Sequence, residues 1–165
     1  MKFYTADLCD AYPNSVRVLD PLFKSYGGRK RIFGAIVTVQ LFGNNKTLVE
    51  LLKSEGAGRI AVVDVHGAYT AVVGDNLMKF AYENHWAGIV INGYVRDTKN
   101  TKEIDVGLFA LGTCPKKTME PQEGSLHVSF SFGGVTFNEG DYLYADRDGI
   151  ILSATPLEPS LDMPS

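Results

Sequence analysis

Gly74-Asp75-Asn76-Leu77 and Arg96-Asp97 are the residues of this chain whose types can do chemistry together. A guanidinium can grip a carboxylate or a developing oxyanion through two parallel hydrogen bonds. A neighbouring carboxylate can hold a hard divalent cation such as magnesium, which keeps several waters and takes few protein ligands. A helix opening at Gly74-Asp75 would offer unpaired backbone N–H groups and the positive end of its dipole to a small carboxylate or phosphate. Gly74 lets such a ligand approach the backbone closely. Together these groups suit a 2-oxo acid held between cation, Arg96 and helix N-terminus, with the cation acting as a Lewis acid on the keto oxygen. The plainer reading of the same residues is an Arg–Asp pair in a loop, with Asp75 capping a helix.

A strand–helix–strand unit has to position them. Ile60-Ala61-Val62-Val63-Asp64 is an apolar run ending in an acid, the pattern of a buried strand. A loop of nine residues follows, then a helix over 75–86 with Leu77, Phe80, Ala81 and Asn84 on one face. Gly88 to Gly93 reads as a second buried strand, and its loop carries Tyr94-Val95-Arg96-Asp97. Such a βαβ unit predicts parallel strands and a right-handed crossover. Both strand ends and the helix N-terminus then share the carboxyl edge, the usual ligand edge of a parallel sheet.

Around this unit the patterns are simpler. Thr5 reads as the N-cap of a short helix that Pro13 ends. Residues 25–31 form a loop, and Phe33 to Phe42 alternate as a strand. Thr47-Leu48-Val49-Glu50 has the form of a capping box, which starts a helix near 47 that Gly56 and Gly58 end. Short strands are predicted at 106–110, 127–132, 135–137, 142–145 and 150–153, mostly antiparallel. Turn signals separate them at Gly133-Gly134, Asn138 to Asp141 and Asp146 to Gly149. From Pro156 the tail reads as an extended strap or a frayed end.

Composition narrows the class. The 165 residues fit one domain, 1–165, large enough to bury a core without disulfides or structural metal. No apolar stretch approaches the roughly 18 residues of a membrane helix. Sixteen basic and 19 acidic residues give a net charge of -3, against the basic surplus of most nucleic-acid binders. Cys9 and Cys114 form no C-x-x-C pair and read as buried or half-buried thiols. The N-terminus lacks the apolar core of a signal peptide, so a cytoplasmic location is expected. His66 reads as a solvent-facing loop residue, with a proton shuttle as the sharper alternative. His85 and His127 read as structural, Trp86 as packing, and Arg29-Lys30-Arg31 as a solvated loop. Neither a nucleophile elbow nor a P-loop is present.

Residues 5–12, TADLCDAY, resemble the opening of proteins in the family named for the regulator of ribonuclease E activity A. Pro21-Leu22-Phe23, Tyr26 to Arg29, Gly133 to Phe137, Gly140-Asp141, Leu143 to Asp146 and Gly149 to Ile151 extend the resemblance over nearly the whole chain. It implies an α/β chain with the three-layer β/β/α swivelling-domain fold, assembled as a homotrimer with sites between subunits. The family includes metal-dependent aldolases of 4-hydroxy-4-methyl-2-oxoglutarate that also decarboxylate oxaloacetate. Their signature, an Asp, twenty residues and Arg-Asp, is matched by Asp75, twenty intervening residues and Arg96-Asp97. The resemblance implies that Gly74, Asp75, Asn76 and Leu77 hold the pyruvyl carboxylate. Arg96 binds substrate and steadies a pyruvate enolate. Asp97 ligates magnesium or manganese. Other members bind ribonuclease E and restrain RNA decay, which makes that ribonuclease the alternative partner. In the family's enteric regulator the Asp after the Arg is replaced; Asp97 keeps it here. The loop 65–70 departs from the family pattern, being poorer in glycine and one residue shorter.

Overall fold

Side-chain parity along the central strands decides the architecture. In the computed structural model, which describes residues 2–119 and 122–158, the elements in chain order are α1 (Thr5–Ala11), β1 (Val16–Val18), β2 (Lys24–Ser25), β3 (Ile32–Gln40), α2 (Lys46–Leu52), β4 (Ile60–Asp64), β5 (Ala71–Val73), α3 (Asp75–Glu83), β6 (Gly88–Val95), α4 (Thr98–Thr101), β7 (Gly107–Thr113), β8 (Ser125–Leu126), β9 (Phe130–Phe132), β10 (Val135–Phe137), β11 (Tyr142–Ala145) and β12 (Ile150–Ser153). Successive residues of a strand face opposite sides. Val37, Val39, Ala61, Val63, Ile89, Ile91, Leu108 and Ala110 face one way and pack with Leu48, Leu52, Met78 and Ala81 of α2 and α3. Ile36, Ile60, Val62, Val90 and Phe109 face the other way, against Phe130, Phe132, Val135, Phe137, Leu143 and Leu152. The result is helices, a central sheet and a second β layer: the β/β/α order that the resemblance implies.

β3 belongs to both β layers. Its first half pairs antiparallel with β11, Ile32 opposite Ala145 and Ala35 opposite Tyr142. Its second half pairs parallel with β4, Ile36 opposite Ile60 through Gln40 opposite Asp64. The strand order is β1-β12-β11-β3-β4-β6-β7-β2, with β5 attached to β6 and β8 to β3, while β9 and β10 form a separate hairpin. A smaller third cluster packs Phe3 and Leu8 of the N-terminal segment on Tyr144, Ile151 and Leu157.

The βαβ unit has the expected parallel strands, Ile60 opposite Gly88 through Asp64 opposite Asn92. Several local readings need correction. The loop before α3 contains β5, parallel to β6, because Ala71, Val72 and Val73 are all buried and fill a place on the sheet edge. β6 runs on through Tyr94 and Val95, so only Arg96-Asp97 lies beyond the strand. β7 extends to Thr113 and is parallel to β6, adding to the parallel layer rather than to the antiparallel part. The capping box does not form: Asn45 precedes α2, and the Thr47 hydroxyl accepts instead from the Gly124 backbone at 3.0 Å. α2 already ends at Leu52. Gly56 serves packing, since a Cβ there would lie 2.6 Å from the Trp86 ring.

Thr5 is likewise inside α1 rather than capping it. Its N–H and hydroxyl both donate to the Asp146 carboxylate, each at 2.7 Å. An acid 141 residues away thus satisfies the helix end. Gly133 and Gly134 have φ of 58° and 75° and close the β9–β10 hairpin as a two-residue turn. The strap reading of the tail holds through Glu158: Leu157 is buried and exchanges two hydrogen bonds with the Tyr144 hydroxyl. The rest of the tail lies outside the described residues.

Candidate functional site

Each element delivers one part of the site. β5 ends at Val73, and Gly74 in extended conformation turns the chain into α3. β6 ends at Val95. The Arg96 N–H donates to the Val73 carbonyl at 2.9 Å, tying the two strand ends together. Asp97 follows with φ 59° and ψ 33°, the left-handed region that Asp tolerates better than most residues. Its carbonyl then accepts from Asn100 and Thr101 at the start of α4. This turn aims the Asp97 side chain at the N-terminus of α3, where Oδ2 accepts the Asp75 N–H at 3.2 Å. A Cβ at Gly74 would lie 2.5 Å from that same oxygen, so the missing side chain is what lets the carboxylate sit there.

Gly74, Asp75, Asn76, Leu77, Arg96 and Asp97 all line one cleft of about 80 Å³. Arg96 and Asp97 also line an adjoining cavity of about 280 Å³ with Thr98, Thr113, Cys114 and Pro115. Arg96 Nη1 donates to the Pro115 carbonyl at 3.3 Å, which orients the guanidinium. The Asn100 amide donates to Asp75 at 3.1 Å. That bond, helped by the Lys79 charge, holds the Asp75 carboxyl below the usual carboxylate range.

Sequence reasoning missed Val72 and Val73, at the end of β5, and two polar residues of the cleft, Asn45 and Lys117. Asn45 donates through its side chain to the Val72 carbonyl at 2.7 Å and so pins β5 beside α2. Lys117 reaches the cleft because residues 116–117 pair with Ala71. That pairing is non-local and leaves no periodic signature.

The other candidates fall outside the cleft. His66 is exposed, as expected, with Nδ1 at 3.5 Å from the buried Asp64 and Nε2 at 3.1 Å from the Gln40 amide. His85 and His127 each contact a carboxylate at 2.9 Å, Glu55 and Glu139. Trp86 is core and donates to the Ser54 carbonyl. Cys114 is buried and Cys9 half-buried, both free; burial, with Asp10 nearby, pushes the Cys9 thiol up. The basic run is not simply solvated: Arg29 pairs with Asp105 at 3.2 Å, and Arg31 lies over the Tyr4 ring at 4.6 Å.

The donor set favours one class of metal. Among the described residues no three His, Cys, Asp or Glu side chains gather into a cage, so a zinc-type site does not fit. The Asp97 carboxylate, seated where Gly74 lacks a side chain and in contact with the Asp75 carboxyl, fits a hard cation that keeps most of its waters.

Known proteins share both sequence and fold. A protein of Azotobacter vinelandii, provisionally named 4-hydroxy-4-methyl-2-oxoglutarate aldolase, is 43% identical over 96% of this chain and 98% of its own. One of the same provisional name from Aromatoleum aromaticum is 40% identical over 95% and 99%. The solved structure of the RNA-processing inhibitor RraA from Thermus thermophilis superposes with a TM-score of 0.90 at 40% identity, covering 98% of both chains. The family profile described as RraA-like, Aldolase/RraA, matches residues 5–152. With the chain matched almost end to end in sequence and in fold, it belongs to the RraA-like family.

Proposed function

We propose that this chain is a divalent-metal-dependent lyase that cleaves 4-hydroxy-4-methyl-2-oxoglutarate by a retro-aldol step, releasing pyruvate, and decarboxylates oxaloacetate. The observation that carries the reading is the convergence of the α3 N-terminus, Arg96 and Asp97 on one cleft. Relatives provisionally named for that aldolase, matched over nearly their full length, support it.

The residues divide the work. The backbone N–H groups along Gly74 to Leu77 hold the carboxylate of the 2-oxo acid, that of Asp75 being shared with Asp97 Oδ2. Arg96, fixed by Pro115, faces the negative charge that grows on the keto oxygen as the carbon–carbon bond breaks. Asp97 would hold the cation, magnesium or manganese, with Asp75 beside it. The bound cation would supply Lewis acidity at the keto oxygen. No Schiff-base lysine is required. Lys117 and Asn45 add polar groups to the wall beside the cradle. The reading takes residues 1–165 as one domain and three copies as the assembly, with sites at subunit interfaces. Phe42 and Tyr69, 45% and 66% exposed, offer apolar surface for that contact.

The test is pyruvate release from both substrates, with magnesium, with chelator, and with Asp97→Ala, after subtracting the metal-promoted decay of oxaloacetate. Release that needs both metal and Asp97 is expected. Arg96→Ala should lower turnover by roughly 10²–10³, the cost of removing one positioned charge stabiliser. Folded protein with no release above background would overturn the reading. A second reading, a protein-binding inhibitor of ribonuclease E, is favoured by the match to the Thermus RNA-processing inhibitor. It predicts capture of the ribonuclease in a pull-down, unchanged by Asp97→Ala.

A further inference from the structure

A second concavity lies at the other end of the molecule. Ile32 pairs with Ala145 at the amino end of β3, and the turn 146–149 projects beyond that pair. The candidate site sits past the carboxyl ends of β5 and β6, and no residue lines both cavities. This second cavity holds about 380 Å³, and its walls are Tyr4, Lys30, Arg31, Asp146, Arg147 and Asp148.

Three of the six are cations. Arg31 is held in place by aromatic rings, its guanidinium carbon 4.6 Å from the Tyr4 centroid and 5.8 Å from that of Phe3. Its Nε is buried with no hydrogen-bond acceptor among the described residues. That nitrogen is walled in by the protein, so the guanidinium would meet a ligand in the cavity through its two Nη groups. Neither Arg31 nor Arg147 has an ion-pair partner among the described residues. Two acids share the wall: Asp146, whose oxygens are taken by the Thr5 N–H, the Thr5 hydroxyl and the Asp148 N–H, and Asp148. Lys30 is steadied by the Gly27 carbonyl at 2.9 Å.

The geometry points to an anion-binding site here for a small phosphate-bearing ligand. A pinned guanidinium with a second guanidinium and an ammonium around one cavity matches the several acceptor oxygens and double charge of a phosphate monoester. The volume leaves room for a small organic group attached to the phosphate. The site is independent of the reaction proposed above.

Calorimetric titration of the full chain with inorganic phosphate, and in parallel with succinate, tests it. Saturable binding of phosphate, tighter than succinate, is expected. Arg31→Lys keeps the charge and loses the fork, and should weaken phosphate at least tenfold. Arg147→Ser, at an exposed position, should weaken it severalfold with the fold untouched. Arg96→Ala should leave it unchanged, which separates this cavity from the anion cradle of α3. Absence of saturable binding, binding lost with Arg96→Ala but kept in both other variants, or preference for succinate would each overturn the proposal.

Discussion

At the scale of single residues, Gly74 and Asp97 are one feature. The Asp97 carboxylate occupies the space a Cβ of residue 74 would claim, at 2.5 Å. Gly74 has φ -136° and ψ -163°, which alanine adopts without strain. Gly74→Ala should therefore change stability by no more than about 1 kcal/mol while pushing the carboxylate off its position. A displacement of this order can cost up to about 10²-fold in rate. Pyruvate release and magnesium titration should both fall while the urea midpoint holds; unchanged release would show that Asp97 has no set position to lose. The paired residue types were legible in the sequence because Gly74-Asp75 and Arg96-Asp97 flank recognisable elements. Lys117 and Asn45 were not, because a strand-like contact with Ala71 and a bond to Val72 place them, and neither leaves a local pattern.

At the scale of elements, one long-range tie is Asp146 on α1. Three donors converge on its carboxylate: the Thr5 N–H, the Thr5 hydroxyl and the Asp148 N–H. Asp146→Ala leaves all three donors without their acceptor at a buried spot and should cost about 2–3 kcal/mol. That corresponds to a fall in Tm of roughly 5–10 °C for a chain of this size, measurable by thermal melts. The sequence pointed to the helix and to the turn but paired Thr5 with its own backbone, because an N-cap is a local pattern and this one is completed from the far end of the chain. The Tyr144 hydroxyl is the second such tie. It accepts the Leu157 N–H at 2.7 Å and donates to the Leu157 carbonyl at 3.1 Å. Tyr144→Phe strands both groups and should cost about 1–3 kcal/mol. Burial pushes the Tyr144 phenol up. A raised folded value means stability that is whole below the ordinary phenol pKa of about 10 and lost as pH rises through the folded one. The wild-type urea midpoint should therefore drop above that pH more steeply than that of Tyr144→Phe; parallel curves would remove Tyr144 as the cause.

At the scale of the whole molecule, the strand parities of β4 and β6 were readable as continuous apolar runs, and so was the parallel βαβ unit. The sharing of β3 was not. Its alternating sequence reads as one strand, whereas Ile32–Ala35 serves one layer and Ile36–Gln40 the other. Assembly is a matter for the same scale. Light scattering at micromolar concentration should give a mass near three times 18.1 kDa; a single-chain mass would remove the subunit interface from the proposed site.

The shared strand also has a consequence for biosynthesis. The centre of the parallel layer can form as soon as residues through β6 leave the ribosome, since β3, β4 and β6 are consecutive on the sheet. The first half of β3 must then wait for β11. At the usual pace of translation, about 5–20 residues per second, the delay is roughly 3–10 s. For that interval Ile32–Ala35 is an uncovered apolar edge, the kind of surface that captures other strands. The nascent chain is thus most vulnerable to mispairing before its last quarter exists, and slowing elongation between β6 and β11 should lower the yield of folded protein more than slowing it anywhere earlier.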